Sequence, residues 1–396
     1  MKISLVTDTF LPEVNGVTTV LATMRAGLIA RGHAVSVVAP RYPGAPGGAE
    51  PAVTRRPSVP CPGYAQVRLS WAYDGAVGRA LAAAAPDVVH VITEGPLGFV
   101  GRRWALRRGI PLVTSFHTDF PQYAVRYLGG WARRPAEAYL RWFHGAAAVV
   151  QTPSDDTRAR LEALGLPQAV TWGRGVETAR FTPARRSERR RAAHGGTFTV
   201  LHVGRLAREK DLDALIVAFT QAHAQLGGTA RFVVAGDGPE AAMVRRALPF
   251  AEHLGFLHRD VLADLYADAD LFVFPSRTET CGLVALEAMA CGLPVVTADE
   301  GGVLENVRHD GNGLAVRAGD GPAFAEAIVR LATDAPQRQR LAAGALAFAA
   351  SRGWEPELDR LVPMYEGAAR GRPMAQERVL AVASLHGGAS HAGGGG

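Results

Sequence analysis

The sequence predicts two α/β domains of similar plan, each a parallel sheet flanked by helices. Three observations carry this. Short β-branched apolar runs alternate with stretches of helical period along most of the chain, the pattern of successive βαβ units. The alternation breaks once, at an Arg- and Gly-rich stretch near the middle, and then begins again. The 396 residues also exceed the ~250–300 that one core usually holds.

The elements follow in order. Ile3–Thr7 reads as a strand ending at Asp8, and Thr9–Gly16 as a loop with Pro12, Asn15 and Gly16. Val17–Ala30 is a helix, with Val17, Val20, Leu21, Met24 and Leu28 at helical spacing, and Ala34–Ala39 is the next strand. Pro40–Pro62 reads as loop with one short strand. Asp87–Ile92, Pro111–Phe116 and Ala146–Gln151 suit buried parallel strands. Helices are expected at about 75–84, 97–108, 123–144 and 153–164. Phe181–Gly196, with five arginines and a Gly pair, reads as the linker. Phe198–Val203, Arg231–Ala235, Leu271–Pro275, Pro294–Thr297 and Leu314–Val316 rebuild a sheet, with a helix over Asp211–Ala224. The predicted domains are 1–180 and 181–353. An amphipathic helix at about 354–370 returns to the first, and 371–396 is a disordered tail.

Composition excludes several classes. With 48% hydrophobic and 20% charged residues the chain is neither disordered nor fibrous. No apolar run reaches the ~18 residues of a membrane span. The N-terminus lacks a signal-peptide pattern, and Cys61, Cys281 and Cys291 form no CxxC pair. A cytoplasmic protein is expected. All but two of the 43 basic residues are arginines, the exceptions being Lys2 and Lys210. Arginine is the default surface cation, so the net charge of +6 does not predict a nucleic-acid partner. Lys210, by contrast, asks for a specific reason.

The chemistry concentrates where strands end, the place an open parallel sheet binds ligands. The loop LPEVNGV precedes a helix N-terminus, whose amides favour an anion. His117, with Asp119 two residues on, follows the strand Pro111–Phe116. Arg205 and Lys210, in GRLAREK, can converge on one anion. Glu279 and Glu287, in PSRTETCGLVALEAMACGLP, flank the turn Thr280-Cys281-Gly282. There two carboxylates and helix-start amides can hold a polyol joined to a phosphate. Two DxD patterns, Asp211–Asp213 and Asp268–Asp270, read as helix surface.

TDTFLPEVNGV, FHTDFPQY, GRLAREK, GDGP and the Glu279–Glu287 block occur in the order seen in retaining glycosyltransferases of family 4, with the GT-B fold. The resemblance covers about 1–370 and is strongest to GDP-mannose-dependent α-mannosyltransferases and related diacylglycerol glycosyltransferases. It implies two facing Rossmann-like domains with an inter-domain cleft and no cofactor beyond a nucleotide-sugar donor, with GDP-mannose expected. It also implies no metal, two cations serving instead. By the same resemblance Arg205 and Lys210 neutralise the donor diphosphate and Glu287 binds the ribose. Glu279 binds hydroxyls of the moving sugar, helped by amides of Cys281, Gly282 and Leu283. His117 touches the sugar near the reacting carbon, Gly16 lets the first loop approach the diphosphate, and Leu257 lies against the base. Asp8 and Asp119 fall on the acceptor side. Retention comes by front-face attack, the leaving phosphate taking the acceptor proton. The chain departs from the pattern at Asn15, where many relatives have glycine, and at Arg174, where Asn commonly precedes Gly-Val.

The acceptor is expected to be a lipid or glycan. Arg102, Arg103, Trp104, Arg107 and Arg108, and Tyr127–Trp142 with Arg133, Arg134 and Arg141, mix cations with aromatics as peripheral anionic-membrane surfaces do. The alternatives are a UDP-sugar-dependent transferase making a glycolipid or small glycoside, and a non-catalytic nucleotide-sugar binding protein. A dinucleotide dehydrogenase is disfavoured because the first loop is not GxGxxG.

Overall fold

The computed structural model describes residues 1–43, 52–61, 64–70, 74–117, 119, 121–122, 125 and 128–371. The expected tail beyond 371, the loop residues Thr118 and Phe120, and Tyr127 in the expected 123–144 helix lie outside these. The chain divides into two compact units, Met1–Gly173 with the chain from Glu355 onward, and Arg174–Trp354.

The first unit contains β1 (Lys2–Val6), β2 (Ala34–Pro40), β3 (Val53–Arg56), β4 (Ser58–Cys61), β5 (Tyr64–Ser70), β6 (Val88–Val91), β7 (Leu112–Ser115), β8 (Val149–Thr152) and β9 (Ala169–Thr171). Seven of these form a parallel sheet, β3-β2-β1-β6-β7-β8-β9, while β4 and β5 pair antiparallel. Its helices are α1 (Gly16–Ala30), α2 (Asp74–Ala84), α3 (Pro96–Arg108), α4 (Arg133–His144) and α5 (Asp155–Ala163). The inner strands are Val- and Leu-rich because helices cover both faces. Leu5, Val89, Val113 and Val150 are fully buried. Asn15 starts α1 through a capping box: its Oδ1 accepts from Thr18 N at 2.9 Å, and its own N–H donates to Thr18 Oγ1 at 2.9 Å.

The second unit contains β10 (Phe198–Val203), β11 (Ala230–Ala235), β12 (Glu252–Gly255), β13 (Leu271–Phe274), β14 (Val295–Ala298) and β15 (Gly313–Val316), in one parallel sheet ordered β12-β11-β10-β13-β14-β15. Around it lie α6 (Glu188–Ala193), α7 (Leu212–Leu226), α8 (Ala241–Ala247), α9 (Arg259–Asp268), α10 (Leu283–Ala290), α11 (Gly321–Thr333) and α12 (Ala335–Ala350). Strand order reverses between β1 and β6 in one sheet and between β10 and β13 in the other. Those switch points are where such sheets take ligands.

The last helix, α13 (Trp354–Ala369), packs from Glu355 onward on the first unit. Leu358, Leu361, Met364 and Tyr365 are buried. Gly27 makes room for Leu358, whose Cδ1 would lie 2.4 Å from a Cβ at that position. The Tyr365 hydroxyl sits 2.6 Å from His90 Nδ1, and His90 Nε2 lies 2.8 Å from Ser115 Oγ. This enclosed polar chain fixes the register of α13, because each member would otherwise be buried without a partner.

The structure differs from three expectations. Phe181–Gly196 is not a bare linker: it carries α6 and docks on α9. Arg185 pairs with Asp264, Arg190 with Asp268, and Arg186 and Arg191 with Asp270. The units divide between Gly173 and Arg174, ahead of the expected boundary between Arg180 and Phe181, because Val176 already belongs to the second core. Among its described residues the 40–62 region holds two strands rather than one, β3 and β4, and β5 follows. The prolines and glycines there mask two strands that pair separately, β3 with β2 and β4 with β5.

Candidate active site

β10 and β13 are neighbours, with Val200 opposite Leu271 and Leu201 opposite Phe272. The loops leaving their carboxyl ends therefore start side by side. The first is Gly204–Lys210, and the GDGP motif holds it from behind. Gly236, at φ +137°, lies so close that a Cβ there would be 1.8 Å from Gly204 O; one on Gly238 would be 2.3 Å from Leu206 O. Leu206 N donates to Asp237 O at 3.0 Å, and Glu240 N donates to Leu206 O at 2.9 Å.

The loop after β13 stitches to the first. Thr278 Oγ1 donates to Glu209 O at 2.9 Å, and Arg277 Nε lies 2.9 Å from Asp211 Oδ2. Between these stitches Lys210 Nζ pairs with Glu279 Oε1, which also accepts from Ser276 Oγ at 3.3 Å. Arg205 sits alongside, its Nη1 3.7 Å from the buried Glu209 carboxylate. Lys210 closes a short 3-10 turn, and Asp211, in left-handed conformation at φ +56°, turns the chain into α7 at Leu212, one residue later than expected.

The far end of the second loop is clamped too. Gly302 N donates to Glu279 O at 2.8 Å, and Asn306 Nδ2 donates to Cys281 O at 2.5 Å. Gly282 takes φ +71° under Val303 and opens α10, whose start no described side chain caps. The amides of Ala285 and Leu286 already donate to Gly282 O, and those of Leu283 and Val284 stand ahead of them at a helix start, where an anion is favoured. Burial pushes the Cys281 thiol up to about 11, so it is a neutral wall. Leu257, after β12, is half-buried against the same core.

Glu287 stands one turn into α10. Burial pushes its carboxyl up to about 7, opposed by Arg259, whose Nη1 lies 3.5 Å away. A carboxyl raised in the folded state loses stability as pH climbs from its unfolded value of 4.5 through 7, because the unfolded chain ionises first. Glu287→Gln removes that loss. Thermal unfolding of the two proteins is expected to coincide at about pH 4, below both carboxyl values, with the variant more stable at pH 8 by up to ~3 kcal/mol. Parallel curves across that range would show that Glu287 does not titrate there.

In the first unit the sequence-derived residues are dispersed. Gly16 is exposed at the first residue of α1, and His117 is half-buried after β7. Asp119 is buried and pairs with Arg160. Asp8 is turned onto α3: its carboxylate accepts from Leu97 N at 2.9 Å, Gly98 N at 3.3 Å and Thr93 Oγ1 at 2.8 Å. Burial nonetheless raises it to about 6. Sequence reasoning passed over Glu94 and His144, buried together at 3.2 Å, and Tyr139, whose hydroxyl donates to Glu94 O at 2.6 Å. The only signal for them was Glu94's place just past a strand. Of the DxD acids, Asp268 and Asp270 are paired with arginines of the α6 region and Asp211 with Arg277.

Two Rossmann-like parallel sheets, the second offering cations, a carboxylate and helix-start amides at its switch point, are the architecture of GT-B glycosyltransferases. Comparison with known proteins agrees. Residues 14–180 match "Glycosyltransferase Family 4" and residues 197–334 match "Glycosyl transferases group 1". The GDP-mannose-dependent alpha-mannosyltransferase of Mycobacterium tuberculosis is 34% identical over 95% of this chain and 99% of its own. The alpha-monoglucosyldiacylglycerol synthase of Streptococcus pneumoniae is 30% identical over 75% of this chain and 70% of its own. The sucrose-phosphate synthase of Thermosynechococcus elongatus, at 21% identity, shares the fold with a TM-score of 0.75 over 92% of this chain and 98% of that one. The chain belongs to glycosyltransferase family 4; it is a hexosyltransferase that draws on a nucleotide-sugar donor.

Proposed function

We propose that the protein is a retaining, metal-independent mannosyltransferase using GDP-mannose and acting on a lipid or glycan acceptor. The observation that carries the reading is the Lys210–Glu279 pair at the β10/β13 switch point, joined to 34% identity over nearly the whole of a GDP-mannose-dependent relative. In this reading Lys210 and Arg205 take the diphosphate, and its arrival frees Glu279 for the sugar hydroxyls. Amides of Cys281, Gly282 and Leu283 support the phosphate, Glu287 holds the ribose, and Leu257 meets the base. Gly16, His117, Asp8 and Asp119 serve from the first unit. The departing phosphate takes the acceptor proton, so charge develops where the two cations stand.

The acceptor side includes an anionic membrane surface. Arg102 and Trp104 leave the sequence-derived set because both are buried. Arg102 donates to Phe143 O at 2.8 Å and Trp142 O at 2.9 Å and holds α4 to α3. What faces outward is Trp131, 73% exposed, and a contiguous cluster of Trp142, Phe99 and Tyr139; Arg103 on α3 and Arg133, Arg134 and Arg141 on α4 are exposed as well. Exposed aromatics with arginines on the same helices suit the headgroup region. Among the described residues no helix is long and apolar enough to cross a membrane.

The protein is tested with GDP-mannose and UDP-glucose separately, with and without anionic vesicles, by release of nucleoside diphosphate. GDP release, stimulated by vesicles that co-sediment the protein, is the expected result. Release from UDP-glucose instead would replace the donor assignment, and no co-sedimentation at low salt would remove the membrane surface.

A further inference from the structure

The first sheet has its own switch point, between β1 and β6, and a carboxylate follows each strand there: Asp8 after β1 and Glu94 after β6. Asp8 has both oxygens engaged. Oδ1 accepts from Leu97 N at 2.9 Å, and Oδ2 from Thr93 Oγ1 at 2.8 Å and Gly98 N at 3.3 Å. Asp119, the other acid expected on the acceptor side, is held by Arg160 and by Gln122 N at 3.1 Å. Glu94 differs. Its Oε1 lies 3.2 Å from His144 Nε2, while Oε2 takes no donor among the described residues. The residue is only 7% exposed, yet Oε2 is not one of the fully enclosed polar atoms, so it touches solvent.

The rest of Glu94 is fixed in place. The Tyr139 hydroxyl donates to its carbonyl oxygen at 2.6 Å. His144, fully buried at the end of α4, has Nδ1 2.8 Å from Thr114 Oγ1 on β7, and the Phe116 ring meets it in a T-shaped contact at 6.1 Å. With its proton on Nε2, the imidazole donates to the carboxylate and accepts from the Thr114 hydroxyl, so both ring nitrogens are satisfied. A carboxylate offers about four acceptor positions, and burying one against a single donor is costly. The helix-start amides of α3 that could have satisfied it go to Asp8 instead. Holding His144 explains Oε1. It does not explain an unused oxygen at the ligand-binding end of a parallel sheet.

We propose that Glu94 is an acceptor-binding residue, its Oε2 accepting from a hydroxyl beside the one that reacts, with His144 as its positioning residue. Under the proposed function, on which this rests for the acceptor role of the first unit, the proton of the reacting hydroxyl goes to the leaving phosphate. The hydroxyl on Glu94 is therefore a second one. The acceptor is then a sugar or polyol, free or as a lipid headgroup, rather than a lipid with a single hydroxyl. A carboxylate only accepts, so it selects a donor such as a hydroxyl, and the bond is charge-assisted.

Calorimetric titration of the full chain, in saturating GDP, tests it with octyl α-D-mannoside and with n-octanol, which shares the tail and has one hydroxyl. The glycoside is expected to bind at least about tenfold more tightly than the alcohol. Glu94→Gln keeps an acceptor for His144 and turns the other oxygen into an amide. Tm and GDP affinity should therefore stay near wild type, while glycoside affinity falls at least about tenfold, the usual loss of a hydrogen bond to a charged group. Glu162→Gln, the same change on exposed α5, should leave glycoside binding as it is. His144→Phe keeps a ring against Phe116; it should weaken glycoside binding alone but add nothing to Glu94→Gln, because it acts through that carboxylate. No glycoside binding, equal binding of octanol, or a smaller loss in Glu94→Gln overturns the proposal, and an additive effect of His144→Phe removes its positioning role. Methyl α-D-mannoside separates the sources: binding as tight as the octyl form marks a free glycan, weaker binding a lipid headgroup. GDP release from GDP-mannose is read alongside. If none occurs while the Glu94-dependent glycoside site persists, the donor assignment fails and the Glu94 site stands; if mannose is transferred but Glu94→Gln binds normally, the reverse holds.

Discussion

Lys210→Ala is expected to lower turnover by about 10²–10³-fold, the usual cost of removing one preorganised group that stabilises developing charge. The side chain is only 16% exposed, so its field at a leaving diphosphate is less screened than in water. Without substrate the ammonium is held by Glu279, which the stitches at Thr278–Glu209 and Arg277–Asp211 bring into reach. In the proposed reading the cation is therefore in place before the donor arrives, and the variant should lose kcat more than donor KM. Lys210→Arg should recover only part of the activity, because a planar fork cannot occupy the space of a compact ammonium. Glu279→Ala should cost a similar factor. The double variant should lose less than the product of the two, since the groups touch and each single change strands the other. Steady-state kinetics with a thermal melt on each variant decides it. Lys210→Ala within about threefold of wild type, with the melt unchanged, would remove Lys210 from the chemistry.

Lys210 also shows how far sequence reasoning reaches. In a chain whose other internal cations are all arginine, its position just past a strand marked it out, and the E-x7-E block marked Glu279 and Glu287. Both sheets were legible because buried parallel strands must be apolar on both faces. Side-chain partners were not, since they come from distant chain. Nothing near Lys210 announces a carboxylate 69 residues on. Arg185–Arg191 looked like a solvated linker because its complement, Asp264–Asp270, is separated by nearly 80 residues. Arg102 looked like surface because arginine usually is; two carbonyls at the end of α4 bury it. Asp8 was legible as a strand-end acid but not as the group that holds the start of α3. GDGP was recognisable as a motif, yet its physical work, a backbone-to-backbone contact with Gly204–Leu206, has no counterpart in residue type beyond the glycines.

That contact supports the second large effect. Gly236→Ala is expected to destabilise the protein at the upper end of the ~1–3 kcal/mol range for overpacking and to cut kcat by about tenfold or more. The new methyl carbon would sit 1.8 Å from the Gly204 carbonyl oxygen, and backbone cannot step aside as a flexible side chain can. Gly204 N also donates to Ala235 O at 3.0 Å, so the turn is tied to the strand that the methyl pushes it from. The turn must move as a unit and carry Arg205 and Lys210 with it. Misplacing positioned groups by about 1 Å costs up to ~10²-fold even when every functional side chain remains. Gly165→Ala separates the two causes: Gly165 has φ +85° with nothing within 4 Å of a new Cβ, so it carries only the left-handed penalty of ~1–2 kcal/mol. If Gly236→Ala melts no lower than Gly165→Ala and keeps full kcat, the GDGP motif does not position the cationic loop. If it melts lower and kcat falls while Lys210 and Glu279 are intact, the glycines of that motif are part of the machinery that aims the cations.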